Sequence, residues 1–229
     1  MIFLHEIHEV VGGRMAEFEE SLRTVWRPLV ERDGEARLVW FWHHTHGTGP
    51  SYQAISVSAV RDWTAWGKLV ERMRQEPELH DWARDVSAFR REVTGKILVP
   101  TAWSPLQEIA LDAPLEASAK EPALYLHDTG WPFAGKLDSY VEALGTVFYP
   151  ATKLSRMISI EACWTVAPGA GRMHEVVLLQ KIHDWPRFSH LLTHGEGPAR
   201  KGEWMEEGLK HRDRWESKLV RTASWSPRV

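Results

Sequence analysis

Sliding the 229-residue sequence against itself by 122 positions aligns residues 1–107 with 123–229 without a gap, and 20 of the 107 pairs are identical. Phe3-Leu4-His5-Glu6 falls on Tyr125-Leu126-His127-Asp128. Thr24-Val25-Trp26 with Pro28 falls on Thr146-Val147-Phe148 with Pro150, and Trp103-Ser104-Pro105 on Trp225-Ser226-Pro227. The matches gather on Trp, Gly, Pro and His, whose geometry other residues reproduce poorly. The chain therefore reads as one unit written twice, 1–107 and 123–229, joined by a linker of Ala, Glu and Pro character at 108–122.

Each copy has the same local grammar. Residues 2–10 alternate as a strand does. Gly13 opens a helix with Met15, Phe18, Leu22, Val25 and Leu29 at helical spacing, and its twin uses Leu137, Tyr140, Leu144 and Val147. Pro28 and Pro150 fall near the ends of these helices. Segments 37–44 and 52–60 flank a Gly-containing loop, which predicts a hairpin. Asp62, matched by Asp184, caps a second helix with Trp63, Trp66, Leu69, Val70 and Met73 on one side; a further helix over 78–93 precedes a last strand, Lys96 to Thr101. The order βαββαβ with one extra helix is the ferredoxin-like split βαβ unit, an α+β fold. A four-stranded sheet with helices on one face leaves its other face bare. Two such units packed sheet to sheet bury both, which predicts an eight-strand α/β barrel with room for one small ligand.

Composition excludes several classes. Net charge is -3 with no long basic run, so neither nucleic acid nor an acidic membrane surface is an expected partner. No 18-residue apolar stretch occurs, and MIFLHEIHEV lacks the pattern of a secretory leader, so a cytoplasmic protein is expected. Cys163 is the single cysteine, which rules out an intrachain disulfide and a cysteine-based zinc site. The 13 tryptophans suit either a crowded core or a pocket for flat rings.

The first strand followed by Gly13, Trp42 five residues before Gly47, Arg61-Asp62-Trp63 and the closing VPTAWSPL together resemble the dimeric α/β-barrel superfamily. Within it the chain is similar to the NIPSNAP-like and antibiotic-biosynthesis-monooxygenase-like branches, as a tandem duplication. The second copy repeats the signature as Gly135, Trp164 with Gly169, His183-Asp184-Trp185 and TASWSP. The chain departs from the NIPSNAP-like pattern at Tyr52 and His174, where Asn usually follows the hairpin loop. The resemblance implies a cofactor-independent oxygenase acting on a polycyclic aromatic of hydroquinone or anthraquinone type in secondary metabolism, with O₂ as co-substrate. The alternatives it implies are a haem-binding or haem-oxidising barrel and a non-catalytic NIPSNAP-like ligand-binding protein. A homodimer of the fused barrel is a further expectation.

Strand parity selects the candidate residues. With Ile2 and Leu4 toward the helices, Phe3, His5 and Ile7 point inward, as do Tyr125, His127 and Thr129. His5 and His127 are then candidate general bases for a phenol; a structural hydrogen bond is the alternative role. The same reasoning places Tyr52, Ala54, Ser56 and Ser58 inward in the third strand, with His174, Val176, Leu178 and Gln180 as their twins, so His174 joins the candidate bases and Tyr52 the substrate wall. In WFWHHTHG (40–47), Trp40, Trp42 and His44 share one face while Phe41, His43 and Thr45 share the other. His44 is a candidate base beside the candidate substrate contacts Trp40 and Trp42. Trp164 repeats Trp42, but Thr165, Val166 and Pro168 stand where the histidines were. No metal is expected: a metal site wants three ligands on a common face, and His43 points away.

Overall fold

The computed structural model describes residues 1–112, 121–194 and 203–227. Residues 113–120 of the expected linker lie outside them. The strands are β1 (Ile2–Val10), β2 (Ala36–His44), β3 (Gln53–Val60), β4 (Arg90–Pro100), β5 (Leu124–Trp131), β6 (Ile158–Val166), β7 (Val176–Ile182) and β8 (Arg214–Thr222). Their hydrogen-bonded order is β1-β3-β2-β8-β5-β7-β6-β4, a closed barrel. The α+β architecture expected from the repeat is the one observed.

By contact, unit 1 comprises Met1–Leu98, Glu108–Pro122 and Arg221–Val229, and unit 2 comprises Val99–Gln107 and Ala123–Val220. The Trp-Ser-Pro tail of each repeat therefore counts with the other repeat's body. In unit 1, the Phe41 N–H donates to Ser226 Oγ at 2.9 Å, and the Trp225 and Phe41 rings stack at 4.9 Å. In unit 2, the Cys163 N–H donates to Ser104 Oγ at 3.0 Å and Trp103 Nε1 donates to Val141 O at 2.8 Å.

The helix after β1 differs from its expected phase. It is three pieces: α1 (Met15–Ser21), a π-helical turn at Leu22–Trp26, and α2 (Arg27–Glu31). The Arg27 N–H reaches back five residues to Leu22 O. This widened turn adds a residue, so the buried positions run Phe18, Leu22, Trp26, Val30, and Val25 is left 42% exposed. Thr24 Oγ1 donates to Glu20 O at 2.7 Å, satisfying a carbonyl at the end of α1 just before the turn. Pro28 follows at the start of α2, where its missing N–H costs least. Unit 2 repeats all of it, with α5 (Leu137–Ala143), a π turn at Leu144–Phe148, α6 (Tyr149–Ser155), Thr146 Oγ1 donating to Glu142 O, and Pro150.

The remaining helices of unit 1 are α3 (Trp63–Gln75) and α4 (Pro77–Val86). Those described in unit 2 are α7 (Trp185–Thr193) and α8 (Glu203–Leu209). Asp62 and Asp184 cap α3 and α7, accepting from the N–H groups of Ala65 and Arg187 at 2.8 and 3.0 Å. The helix expected to run to 93 stops at Val86, because Arg90–Gly95 is needed as strand to pair with Val10–Glu6.

Candidate functional site

Cross-strand register decides which side chains share a face. His8 lies 5.0 Å from the Phe18 ring of α1, so the even residues of β1 face the helices. Glu6 pairs with Ser56 and His8 with Ala54, which places Ser56, Ser58 and Ala54 on the helix side as well. The expected parity of β3 is thus reversed. Ile55 and Val57 oppose Ile7 and His5 on the other face, apolar residues being as suited to one buried face as to the other. In unit 2, Leu178 and Gln180 oppose Asp128 and Leu126 on the helix side, while Leu179 opposes His127.

The sequence-predicted residues fall in three places. On the face of unit 1's sheet away from its helices lie Phe3, His5, Trp40 and Trp42, all buried, with the two tryptophans stacked at 5.3 Å. On the corresponding face of unit 2 lie Tyr125, His127 and Trp164, again buried. Tyr52 and His174 are not on strand faces. They are exposed turn residues just before β3 and β7, both with φ of 59°. That left-handed conformation suits Asn, so the departure from the family pattern is a matter of turn geometry.

WFWHHTHG divides as its alternation predicts. His43 turns to the helix side, with Nε2 3.1 Å from Glu19 Oε1. Burial raises the Glu19 pKa, but hydrogen bonds from His43 and Trp225 outweigh it and hold the carboxyl below its ordinary value. The His44 ring lies against Gly49 so closely that a Cβ there would sit 2.3 Å from its Cε1. With His46, Tyr52 and Met15 these residues line a surface hollow of about 170 Å³. Among the described residues, no three His, Cys, Asp or Glu side chains gather as a metal site.

A cluster of polar groups in unit 2 lies between its sheet and α5 and α8. Asp128 on β5 accepts from Ser217 Oγ at 2.5 Å and from Gln180 Nε2 at 2.8 Å. Gln180 is buried, yet its carbonyl oxygen Oε1 meets no donor among the described residues. Arg212 donates through Nε to the Tyr140 hydroxyl at 2.7 Å, and its guanidinium carbon lies 4.4 Å from the Trp215 ring centre. Tyr140 stacks on Trp204 at 6.0 Å. Gly130 makes this close fit possible, since a Cβ there would come 2.7 Å from the Tyr140 hydroxyl. Asp128, Tyr140, Phe148, Trp204, Arg212 and Trp215 line a pocket whose enclosed part is about 30 Å³, the space of a single water, within about 320 Å³ of atom-free space that includes the open mouth.

Electrostatics sets these groups apart from surface residues. Burial pushes the Asp128 carboxyl from its ordinary 3.8 up to about 6, against the opposing pull of Ser217, Arg212 and Gln180. Burial likewise raises the Tyr140 phenol, and Arg212 partly offsets it. An acid that changes charge near pH 6, a fixed cation and a phenol therefore meet at one aromatic-walled pocket. That set can take a proton from a ring hydroxyl and hold the resulting anion.

No family model and no curated protein matches the chain. Solved structures do. An anthrone oxidase-like protein superposes with a TM-score of 0.66 at 10% identity, covering 97% of this chain and 91% of its own. A provisionally named monooxygenase from Lactobacillus acidophilus NCFM gives 0.61 at 11% identity, over 99% and 97%. The chain shares its overall fold with these two proteins. A NIPSNAP domain protein from Burkholderia xenovorans matches 46% of the chain with all of its own length, at 19% identity and a TM-score of 0.41.

Parity and family pattern pointed to histidines and overlooked Asp128, Tyr140, Arg212, Trp204, Trp215 and Ser217 as a group. A signal was present. An acid follows Leu126 at the next helix-facing position of β5, where an apolar residue is expected, and Glu6 does the same after Leu4. Arg212 is identical to its twin Arg90. A recurring acid on a buried parity, with a recurring arginine, is visible in the sequence alone.

Proposed function

We propose that the protein is a cofactor-independent oxygenase that deprotonates a phenolic or enolisable aromatic substrate in the unit 2 pocket and lets the anion react with O₂. The observation that carries this reading is Asp128, a carboxylate poised near pH 6 on the wall of an aromatic pocket and facing Arg212. The fold's likeness to an anthrone oxidase-like protein supports the reaction class.

In this mechanism only the reacting edge of the substrate enters the enclosed space, and the remaining rings lie in the mouth against Trp204 and Trp215. Asp128 takes the proton, and Ser217 and Gln180 hold the carboxylate in place. Arg212 stabilises the phenolate or enolate, and the Tyr140 hydroxyl, already bonded to Arg212, lies beside the developing oxygen anion. Where a ring methylene becomes a carbonyl, one O₂ is consumed and one water released, so the substrate supplies all four electrons. Proton transfer by a placed base contributes about 10²–10⁴-fold. His5 and His127 remain the competing bases, on the opposite faces of the two sheets. Among the described residues lining the unit 2 pocket there is no histidine to serve as axial ligand in the haem alternative.

The test is O₂ consumption by metal-stripped protein over a panel of anthrones, naphthols and hydroquinones. Loss of activity in Asp128→Asn, with retention in His5→Ala and His127→Ala, supports the assignment. The reverse pattern transfers the role to the histidines. A wild type inert toward the whole panel removes the oxygenase reading.

A further inference from the structure

The duplication gives unit 1 a counterpart for each part of the unit 2 pocket. Glu6 stands for Asp128, Phe18 for Tyr140, Trp82 for Trp204 and Arg90 for Arg212. Other positions differ, with Val93 for Trp215, Gly95 for Ser217 and Ser58 for Gln180, and two further substitutions fill space beside the acid and the arginine. His8 stands for Gly130, and Ser56 for Leu178.

These two residues change what the pocket holds. Arg90 Nη1 lies 3.2 Å from His8 Nδ1, and His8 Nε2 lies 2.9 Å from Ser56 Oγ. A guanidinium has only donors, so Nδ1 must accept and the ring proton sits on Nε2. His8 therefore donates to Ser56, whose hydroxyl is in turn bonded to Glu6. The chain Arg90 to His8 to Ser56 to Glu6 runs in one direction and uses both ring nitrogens of His8. The ring also packs on Phe18 at 5.0 Å, and His8 and Ser56 are both buried. At the equivalent point of unit 2 there is no side chain at all, and Tyr140 takes the arginine's hydrogen bond instead.

We infer that His8 is the residue that closes the unit 1 copy of the pocket, so that the duplicated chain keeps one working site for a flat aromatic ligand, in unit 2. The inference rests on reading the unit 2 pocket as the substrate site. Glu6 and Arg90 persist in unit 1 as the ends of a structural hydrogen-bond chain; without His8 they would face a cavity of imidazole size.

The experiment is a titration of the full chain with 1-naphthol, followed by calorimetry, for wild type and His8→Gly, with imidazole-dependent thermal shift as a second reading. The expected result is one equivalent bound by wild type and two by His8→Gly, saturable stabilisation of the variant alone by imidazole, and unchanged O₂ consumption. Two equivalents in wild type overturn the inference while leaving the unit 2 reading intact. So does a variant that gains neither naphthol binding nor imidazole stabilisation. If wild type binds none and the variant gains a site, His8 is upheld as the plug and the unit 2 reading falls. Should His8→Gly fail to fold, His8→Ala takes its place. Nitrogen-15 NMR of wild type also tests the hydrogen-bond chain directly: a neutral Nε2–H tautomer at pH 5 supports it, and an Nδ1–H or a doubly protonated ring refutes it.

Discussion

Replacing Asp128 with Asn removes one charge while leaving the hydrogen-bonding geometry nearly intact. Ser217 can still donate to the new amide oxygen. Gln180, turned over, can offer its partnerless Oε1 to the new N–H₂ group. What changes is proton linkage. The folded-state pKa of Asp128 is about 6, above its ordinary 3.8, so between those values the folded chain holds more protons than the unfolded one. Stability supplied by the neutral carboxyl is present below pH 3.8 and is lost as pH rises through 6. A difference of roughly two pKa units corresponds to about 3 kcal/mol, a ceiling that solvent at the pocket mouth lowers. Urea denaturation of wild type and Asp128→Asn from pH 4 to pH 8 should therefore show wild type losing about 2–3 kcal/mol relative to the variant. The loss should be centred between pH 4 and 6. A flat difference curve, or one in which wild type gains stability as pH rises, refutes a half-buried carboxyl with a raised pKa and with it the proposed base.

His8 should behave with the opposite sign. Burial first, and then Arg90, lower its pKa to about 3, so relative to His8→Ala the wild type should lose stability as pH falls from 6.5 towards 3, by several kcal/mol (about 1.4 per pKa unit), read by the same denaturation series. Gly130→Ala would drive a Cβ against the Tyr140 hydroxyl; it should cost about 1–3 kcal/mol in denaturant midpoint and lower O₂ turnover by displacing the phenol from Arg212. Tyr52→Gly should raise the melting temperature, because φ of 59° is strained for tyrosine; the gain is about 1 kcal/mol, and a fall would contradict the assigned turn geometry.

The repeat made the fold legible, because a pattern seen twice at one offset suppresses chance matches at either copy. The caps at Asp62 and Asp184 were legible for a local reason, a side chain bonding its own helix. The helix phase after Leu22 was not, since a π turn leaves no mark in hydrophobic spacing until the buried Trp26 is seen to replace Val25. The parity of β3 failed for a related reason. Ile55 and Val57 are apolar and fit either face, while Ser56 looks like a pocket residue until His8 and Glu6 are seen to use it. The pocket chemistry was missed because Asp128, Arg212 and Tyr140 are unremarkable singly, and only the repeat of the acid and the arginine in both copies hints at them.

The π turns also date events within the molecule. Both halves carry the widened turn, its threonine and its following proline at equivalent positions, so all three were in place before the gene segment doubled. The His8 and Gly130 difference cannot predate that doubling, because two copies are needed before they can differ. The helix shape is thus ancestral, and the division of labour between the two pockets is the younger trait.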